Sequence, residues 1–143
     1  YAVRNFYNGS SGIELGGKKL GIHAYGNVGR NVARIAKGFN MEVYAYDPFL
    51  SAEAIEKEGV KAVKSVEELY STCQFVSLHI PATAETKNSI NYELLNKMPK
   101  KAVLINTARK EVINEAEMVK LMSDRTDFKY VTDILPGNHA EMN

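Results

Sequence analysis

At 143 residues with a formal net charge of +1, the chain has the length of one ordinary domain, enough to bury a continuous core without metal or disulfide staples. Its composition, 45% apolar and 24% charged, is that of a soluble globular protein and excludes collagenous, repetitive and disordered classes. Lysines and arginines are spread among nearly as many acids, so the basic stripe of a nucleic-acid binder is missing. Cys73 is the single cysteine; no internal disulfide can form, and a reducing, cytoplasmic setting is the simpler expectation. No apolar run approaches the roughly 20 residues of a membrane span, and no pattern of metal ligands stands out.

In chain order, residues 1 to 17 are rich in glycine and serine after a short helix expected over Ala2 to Tyr7, and read as a connector from a preceding domain. Lys19 to Ala24 is a short apolar run. Asn31 to Phe39 carries Val32, Ile35, Ala36 and Phe39 at helical spacing, with Gly38 and Asn40 closing the helix. Met41 to Tyr46 is rich in strand formers and ends at Asp47-Pro48, completing a strand, helix, strand unit. A helix over Ala52 to Glu58 and a short strand at Val60 to Val63 follow. Ser65 with Glu68 forms a capping-box pattern that opens the next helix.

Phe75 to Ile80 and Ala102 to Ile105 are continuously apolar, as strands covered on both faces of a parallel sheet are. A short helix is expected between them at Tyr92 to Met98. Asn114 with Glu117 repeats the capping pattern before Met118, Leu121 and Met122, and Phe128 to Leu135 supplies a last strand. The fold class is therefore α/β, a doubly wound parallel sheet of the Rossmann type over residues 18 to 135. Residues 136 to 143 begin a linker. Tyr1 at one end, and Asn143 after the Pro136-Gly137 turn signal at the other, read as cuts within a longer protein.

The turn after the first strand, Ala24-Tyr25-Gly26-Asn27-Val28-Gly29, is the dinucleotide fingerprint G-x-G-x-x-G with alanine in its first position. Its context agrees: a strand before, a helix after, and Asp47 at the end of the second strand, 21 positions beyond Gly26. Gly26 would leave room for a pyrophosphate, Asn27 and Val28 would offer helix-terminal amides, and Gly29 would let helix and strand pack closely. Asp47 would accept from the adenosine ribose hydroxyls and repel a 2′-phosphate, which favours NAD over NADP. Ala24 fits the turn if its φ stays negative, and its methyl group is expected to lower cofactor affinity.

Together, Leu15-Gly-Gly-Lys-Lys-Leu-Gly21, the glycine loop with Arg30 behind it, Val43-Tyr-Ala-Tyr-Asp-Pro48, Leu78-His-Ile-Pro81 with Thr83 and Thr86, and Ile105-Asn-Thr-Ala-Arg109 resemble the D-2-hydroxyacid dehydrogenase family, from about Gly12 to Asp133. The resemblance implies an NAD-binding domain in which His79, Ile80 and Pro81 flank the adenine and ribose and Thr86 lies near the phosphates. Thr107, Ala108 and Asp133 would lie on the nicotinamide side. Arg109 would be catalytic, its planar fork gripping the α-carboxylate and neighbouring oxygen of the substrate.

The implied reaction is hydride transfer between NAD and C2 of a small 2-hydroxy acid, with 3-phosphoglycerate of serine biosynthesis as the expected substrate and a homodimer or higher homo-oligomer as the expected assembly. The family's base is a histidine expected beyond Asn143, paired with a glutamate whose place Asn138 takes, with His139 and Glu141 beside it. Lys110 stands where the family has glycine. Glycerate, lactate and formate remain open as substrates, as does a reading in which the chain is an NAD-responsive sensor of the corepressor type without turnover.

Overall fold

The computed structural model describes residues 16–106 and 110–132. The connector helix expected at Ala2 to Tyr7, the residues Thr107, Ala108, Arg109 and Asp133, and the linker with Asn138, His139 and Glu141 lie outside them.

Among the described residues six strands form one sheet: β1 (Lys19–His23), β2 (Glu42–Tyr46), β3 (Lys61–Ala62), β4 (Phe75–Leu78), β5 (Val103–Asn106) and β6 (Lys129–Thr132). The spatial order is β3-β2-β1-β4-β5-β6 and every pairing is parallel. The helices between them are α1 (Asn27–Gly38), α2 (Ala52–Glu56), α3 (Val66–Thr72), α4 (Tyr92–Leu95) and α5 (Glu115–Asp124), with a 3-10 turn at Lys110–Val112.

Alternate residues of the same strand enter two different cores, as the two-residue side-chain period requires. Val76, Leu78 and Leu104 join Leu69, Leu95, Met118 and Leu121, whereas Phe75 and Val103 join Leu20, Ile22, Ala33, Ala36 and Ile55. Helices α1 and α2 therefore cover one face and α3, α4 and α5 the other. All four residues of β4 are buried; three are apolar, and the fourth, Ser77, has a partner for its hydroxyl in His79 Nε2. Cys73 is a core residue whose thiol burial pushes up to about 12, against a smaller opposing effect of Lys19.

The expected caps are present with altered second halves. Ser65 Oγ accepts from the Glu68 amide at 3.1 Å, but the Glu68 carboxylate accepts from Lys64 N–H rather than from Ser65. Asn114 Oδ1 accepts from Glu117 N–H at 3.2 Å, and Glu117 Oε1 reaches away to the Tyr92 amide at 2.9 Å, tying α5 to the start of α4. The first helix begins at Asn27, earlier than the apolar periodicity from Asn31 indicates. Its first turn is the end of the glycine loop, whose one apolar side chain, Val28, is exposed and gives no helical period.

Helix α3 is held to β1 at Gly21, where an added Cβ would lie 3.0 Å from Leu69 Cδ1 and 3.1 Å from Cys73 Sγ. Leu69 is fully buried at this contact. Leu69→Ala is expected to lower unfolding free energy by about 2–5 kcal/mol, measured by urea denaturation.

Candidate functional site

In the order β3-β2-β1-β4-β5-β6 the chain winds outward from β1 in one direction and then from β4 in the other, leaving a crevice where the directions part. Ligands of such sheets lie outside the carboxyl ends of the strands at that point. The residues singled out in the sequence fall at this edge. Among the described residues, Ala24 to Gly29 follow β1, Asp47 follows β2, and His79 to Thr86 follow β4; Thr107, Ala108, Arg109 and Asp133 lie outside the described residues.

Gly26 is the N-cap of α1 and supplies no side-chain cap, and the first turn holds no acid. The first intrahelical bond is Arg30 N–H to Gly26 O at 2.9 Å. The amides of Asn27, Val28 and Gly29 thus precede the helical ladder, at the positive end of the helix dipole. A Cβ built on Gly26 meets nothing within 4 Å, so this position is open toward solvent, whereas one on Gly29 would lie 2.9 Å from Ala24 O and 3.0 Å from Ile22 Cγ2. Open space at the second glycine, close packing at the third and unused amides between them fit a dinucleotide pyrophosphate.

Ala24 departs from expectation. Its φ is +81°, in the left-handed region, so the turn does not accommodate alanine at negative φ. The reason is local: Ala24 N–H still extends the β1–β2 ladder, donating to Tyr46 O at 2.8 Å, and the chain must reverse within two residues to start α1. A side chain there costs about 1–2 kcal/mol.

Asp47 sits at the crevice with both oxygens engaged by backbone: Oδ2 accepts from Tyr25 N–H at 2.9 Å and Oδ1 from Phe49 N–H at 2.8 Å. Each oxygen keeps a further lone pair for a ribose hydroxyl. The carboxylate thereby bridges the loops that follow β1 and β2.

Beyond β4, neighbouring residues part to opposite faces. His79 Nε2 shares a 2.9 Å hydrogen bond with Ser77 Oγ and lines an apolar groove of about 380 Å³ beside Val28, Val32 and Ile105. Ile80 points the other way and, with Thr86 and His23, lines a second cavity of about 420 Å³. Pro81 is exposed, and its carbonyl accepts from Thr86 Oγ1 at 2.6 Å. That hydroxyl also accepts from Thr83 N–H, so Thr86 shapes the loop with the group that sequence reading offered to the phosphates.

Two residues near the site were not singled out from sequence. Tyr25, 1% exposed, anchors the glycine loop. His23, at the end of β1, shares a 2.9 Å hydrogen bond through Nδ1 with the Tyr70 hydroxyl and meets the Tyr46 and Tyr70 rings edge-on. Desolvation lowers its pKa to about 4; Asp47 pulls it up by less, and His79 lowers it slightly. A polar ring within an apolar strand just before a glycine loop was the available signal for His23.

Against known proteins, a profile of the "D-isomer specific 2-hydroxyacid dehydrogenase, NAD binding domain" matches residues 3–143. D-3-phosphoglycerate dehydrogenase of Methanocaldococcus jannaschii is 36% identical over 113 residues, covering 79% of this chain and 22% of that protein. Glyoxylate reductase of Korarchaeum cryptofilum is 40% identical over 114 residues, covering 79% of this chain and 34% of its own. NAD+-bound 3-phosphoglycerate dehydrogenase of Entamoeba histolytica superposes with a TM-score of 0.85 at 42% identity, over 95% of this chain and 44% of that one. The chain thus spans between about a fifth and a third of the length of these two curated relatives.

The geometry sets two expectations. Ala24→Gly is expected to raise unfolding free energy by up to about 1 kcal/mol, the relief of left-handed strain exceeding the extra chain entropy of glycine, read from the denaturation midpoint. His23 binds a proton less readily folded, at about pH 4, than unfolded, at 6.5. The unfolded state therefore takes up protons first as pH falls, and stability is lost between pH 6.5 and about 4. The loss from pH 7 to pH 5 should be about 2 kcal/mol and should shrink in His23→Phe; equal slopes for the two proteins would contradict this assignment.

Proposed function

The chain belongs to the D-isomer specific 2-hydroxyacid dehydrogenase family and is its NAD-binding domain, and on that premise we propose that it is the cofactor half of an enzyme moving hydride between C2 of a D-2-hydroxy acid and NAD. The observation that carries this reading is the convergence of Gly26, the free amides of α1 and the Asp47 carboxylate at one crevice.

In this reading the amides at Asn27 and Val28 hold the pyrophosphate, and Asp47 accepts from the adenosine ribose while rejecting a 2′-phosphate. Gly29 keeps α1 close enough for those amides to reach. His79, Ile80 and Pro81 bound the adenine and ribose, His79 beside Val28 at the groove, and Thr86 lies near the phosphates. Thr107, Ala108 and Asp133 serve the nicotinamide side. The cofactor held there would supply the hydride chemistry, its oxidised form as acceptor from the alcohol and its reduced form as donor to the keto acid. Arg109 grips the substrate's α-carboxylate and the neighbouring oxygen, fixing C2, and the hydroxyl proton passes to a base.

The substrate we propose is 3-phosphoglycerate, in serine biosynthesis, supported by the likeness to D-3-phosphoglycerate dehydrogenases. The enzyme is proposed to work in the cytoplasm as a homodimer or higher homo-oligomer. No helix among the described residues is long and apolar enough to cross a membrane.

Titration with NADH, followed by the nucleotide's own fluorescence, should saturate, with NADPH binding at least about tenfold more weakly; equal affinities would remove Asp47 from its role. Asp47→Asn should shrink that preference. In the full-length protein Arg109→Ala is expected to cut kcat/KM for the hydroxy acid by about 100-fold or more, the loss of a bidentate charged contact, with NADH binding retained. Retained turnover would refute the arginine assignment, and a full-length parent with no turnover would favour the sensor reading.

A further inference from the structure

Strand β1 ends on a histidine that is only 7% exposed. One nitrogen of its ring is engaged: Nδ1 shares a 2.9 Å hydrogen bond with the Tyr70 hydroxyl. The Tyr46 and Tyr70 rings meet the imidazole edge-on and fix its plane. The other nitrogen is left over. Nε2 makes no hydrogen bond to a described residue, yet it is not sealed in protein; it opens on the cavity of about 420 Å³ that the ring lines.

Which nitrogen carries the proton follows from Tyr70. That residue is fully buried, and among the described residues its hydroxyl bonds to His23 Nδ1 alone. If the hydroxyl only accepted there, its own hydrogen would be a buried donor without an acceptor, the costlier arrangement. Tyr70 therefore donates to Nδ1, and the ring proton sits on Nε2. Desolvation lowers the pKa of His23 to about 4, so the ring is neutral at pH 7. The cavity thus receives one fixed N–H donor that carries no charge.

The rest of the cavity fits a base. Val66, Ile80 and Leu94 give it apolar walls, and the exposed carboxylates of Glu67, Glu85 and Glu93 stand around it against the single Lys97. Apolar walls with few convergent polar groups suit a neutral ring, and the excess of acids favours one bearing an amino group over an anion. Adenine has that amino group and has ring nitrogens that accept. Its expected position agrees as well: His23 pairs in register with Tyr46, which Asp47 directly follows, so a base joined to a ribose at Asp47 starts beside this cavity.

We propose that His23 is a specificity-determining residue for the cofactor, its Nε2–H donating to a ring nitrogen of an adenine seated in the cavity, so that the crevice selects the base as well as the ribose. This role rests on the dinucleotide reading above. The open Nε2 and its proton are properties of the free chain.

The test has three parts, all in the whole chain. In nitrogen-15 spectra of histidine at pH 7, His23 should be protonated at Nε2 and not at Nδ1. Adding adenosine 5′-monophosphate should then shift the Nε2 signal, whereas nicotinamide mononucleotide, which has no adenine, should leave it in place. His23→Phe keeps a ring between Tyr46 and Tyr70 but has no donor, and it should bind NADH about three- to tenfold more weakly, one hydrogen bond's worth. A proton on Nδ1, an Nε2 signal indifferent to the adenine nucleotide, or parental NADH affinity in His23→Phe each overturns the proposal. A parent that binds neither NADH nor adenosine 5′-monophosphate, with its proton on Nε2 as described, sinks the dinucleotide reading instead, and the base contact with it.

Discussion

Helix α1 starts directly after β1 because Gly29 has no side chain. At that point the helix passes so close to the strand's exit that a Cβ would meet Ala24 O at 2.9 Å and Ile22 Cγ2 at 3.0 Å. Everything at the crevice follows from this approach. The chain must turn within Ala24 to Gly26, which puts Ala24 in the left-handed region; the first-turn amides emerge at the sheet edge; and the loop lies near enough to β2 for Tyr25 N–H to meet Asp47. Moving the helix outward by the width of a methyl group would disturb all three.

The buried polar groups are placed by the same geometry. A strand buried on both faces has little use for a histidine or an asparagine, yet β1 ends in His23 and β5 in Asn106, both buried. Each meets a tyrosine from a neighbouring element: His23 meets Tyr70 of α3, and Asn106 donates through Nδ2 to the Tyr130 hydroxyl at 3.0 Å. Thr132, ending β6, donates to Asn106 O at 2.8 Å. Polarity gathers at the carboxyl ends, where the strands leave the core and a ligand would be met, while the middle of β5 is apolar. Holding His23 neutral in this position makes the fold sensitive to acid from within rather than through its surface.

Much of this was legible in the residues. Continuous apolar runs at Phe75 and Ala102 announced a parallel sheet, Ser65 and Asn114 announced helix starts, and the fingerprint with Asp47 announced the dinucleotide crevice. The apolar period places the start of helix α1 late because its first turn holds only one apolar side chain, Val28, among Asn27, Gly29 and Arg30. Thr86 ties its own loop together, its hydroxyl donating to Pro81 O and accepting from Thr83 N–H, and no linear pattern reveals which nearby partners a threonine takes.

The sequence by itself determined the order of elements, the parallel class of the sheet and the glycine and acid at the crevice, because these depend on local propensity, period and spacing. The tertiary structure alone decided the sign of φ at Ala24, which follows from where α1 must pack. It also decided the parting of His79 and Ile80 to opposite faces, and the bond from the Tyr25 amide to Asp47. These depend on distances between residues remote in the chain, and such distances exist only once the strands are in register and the helices have closed over them.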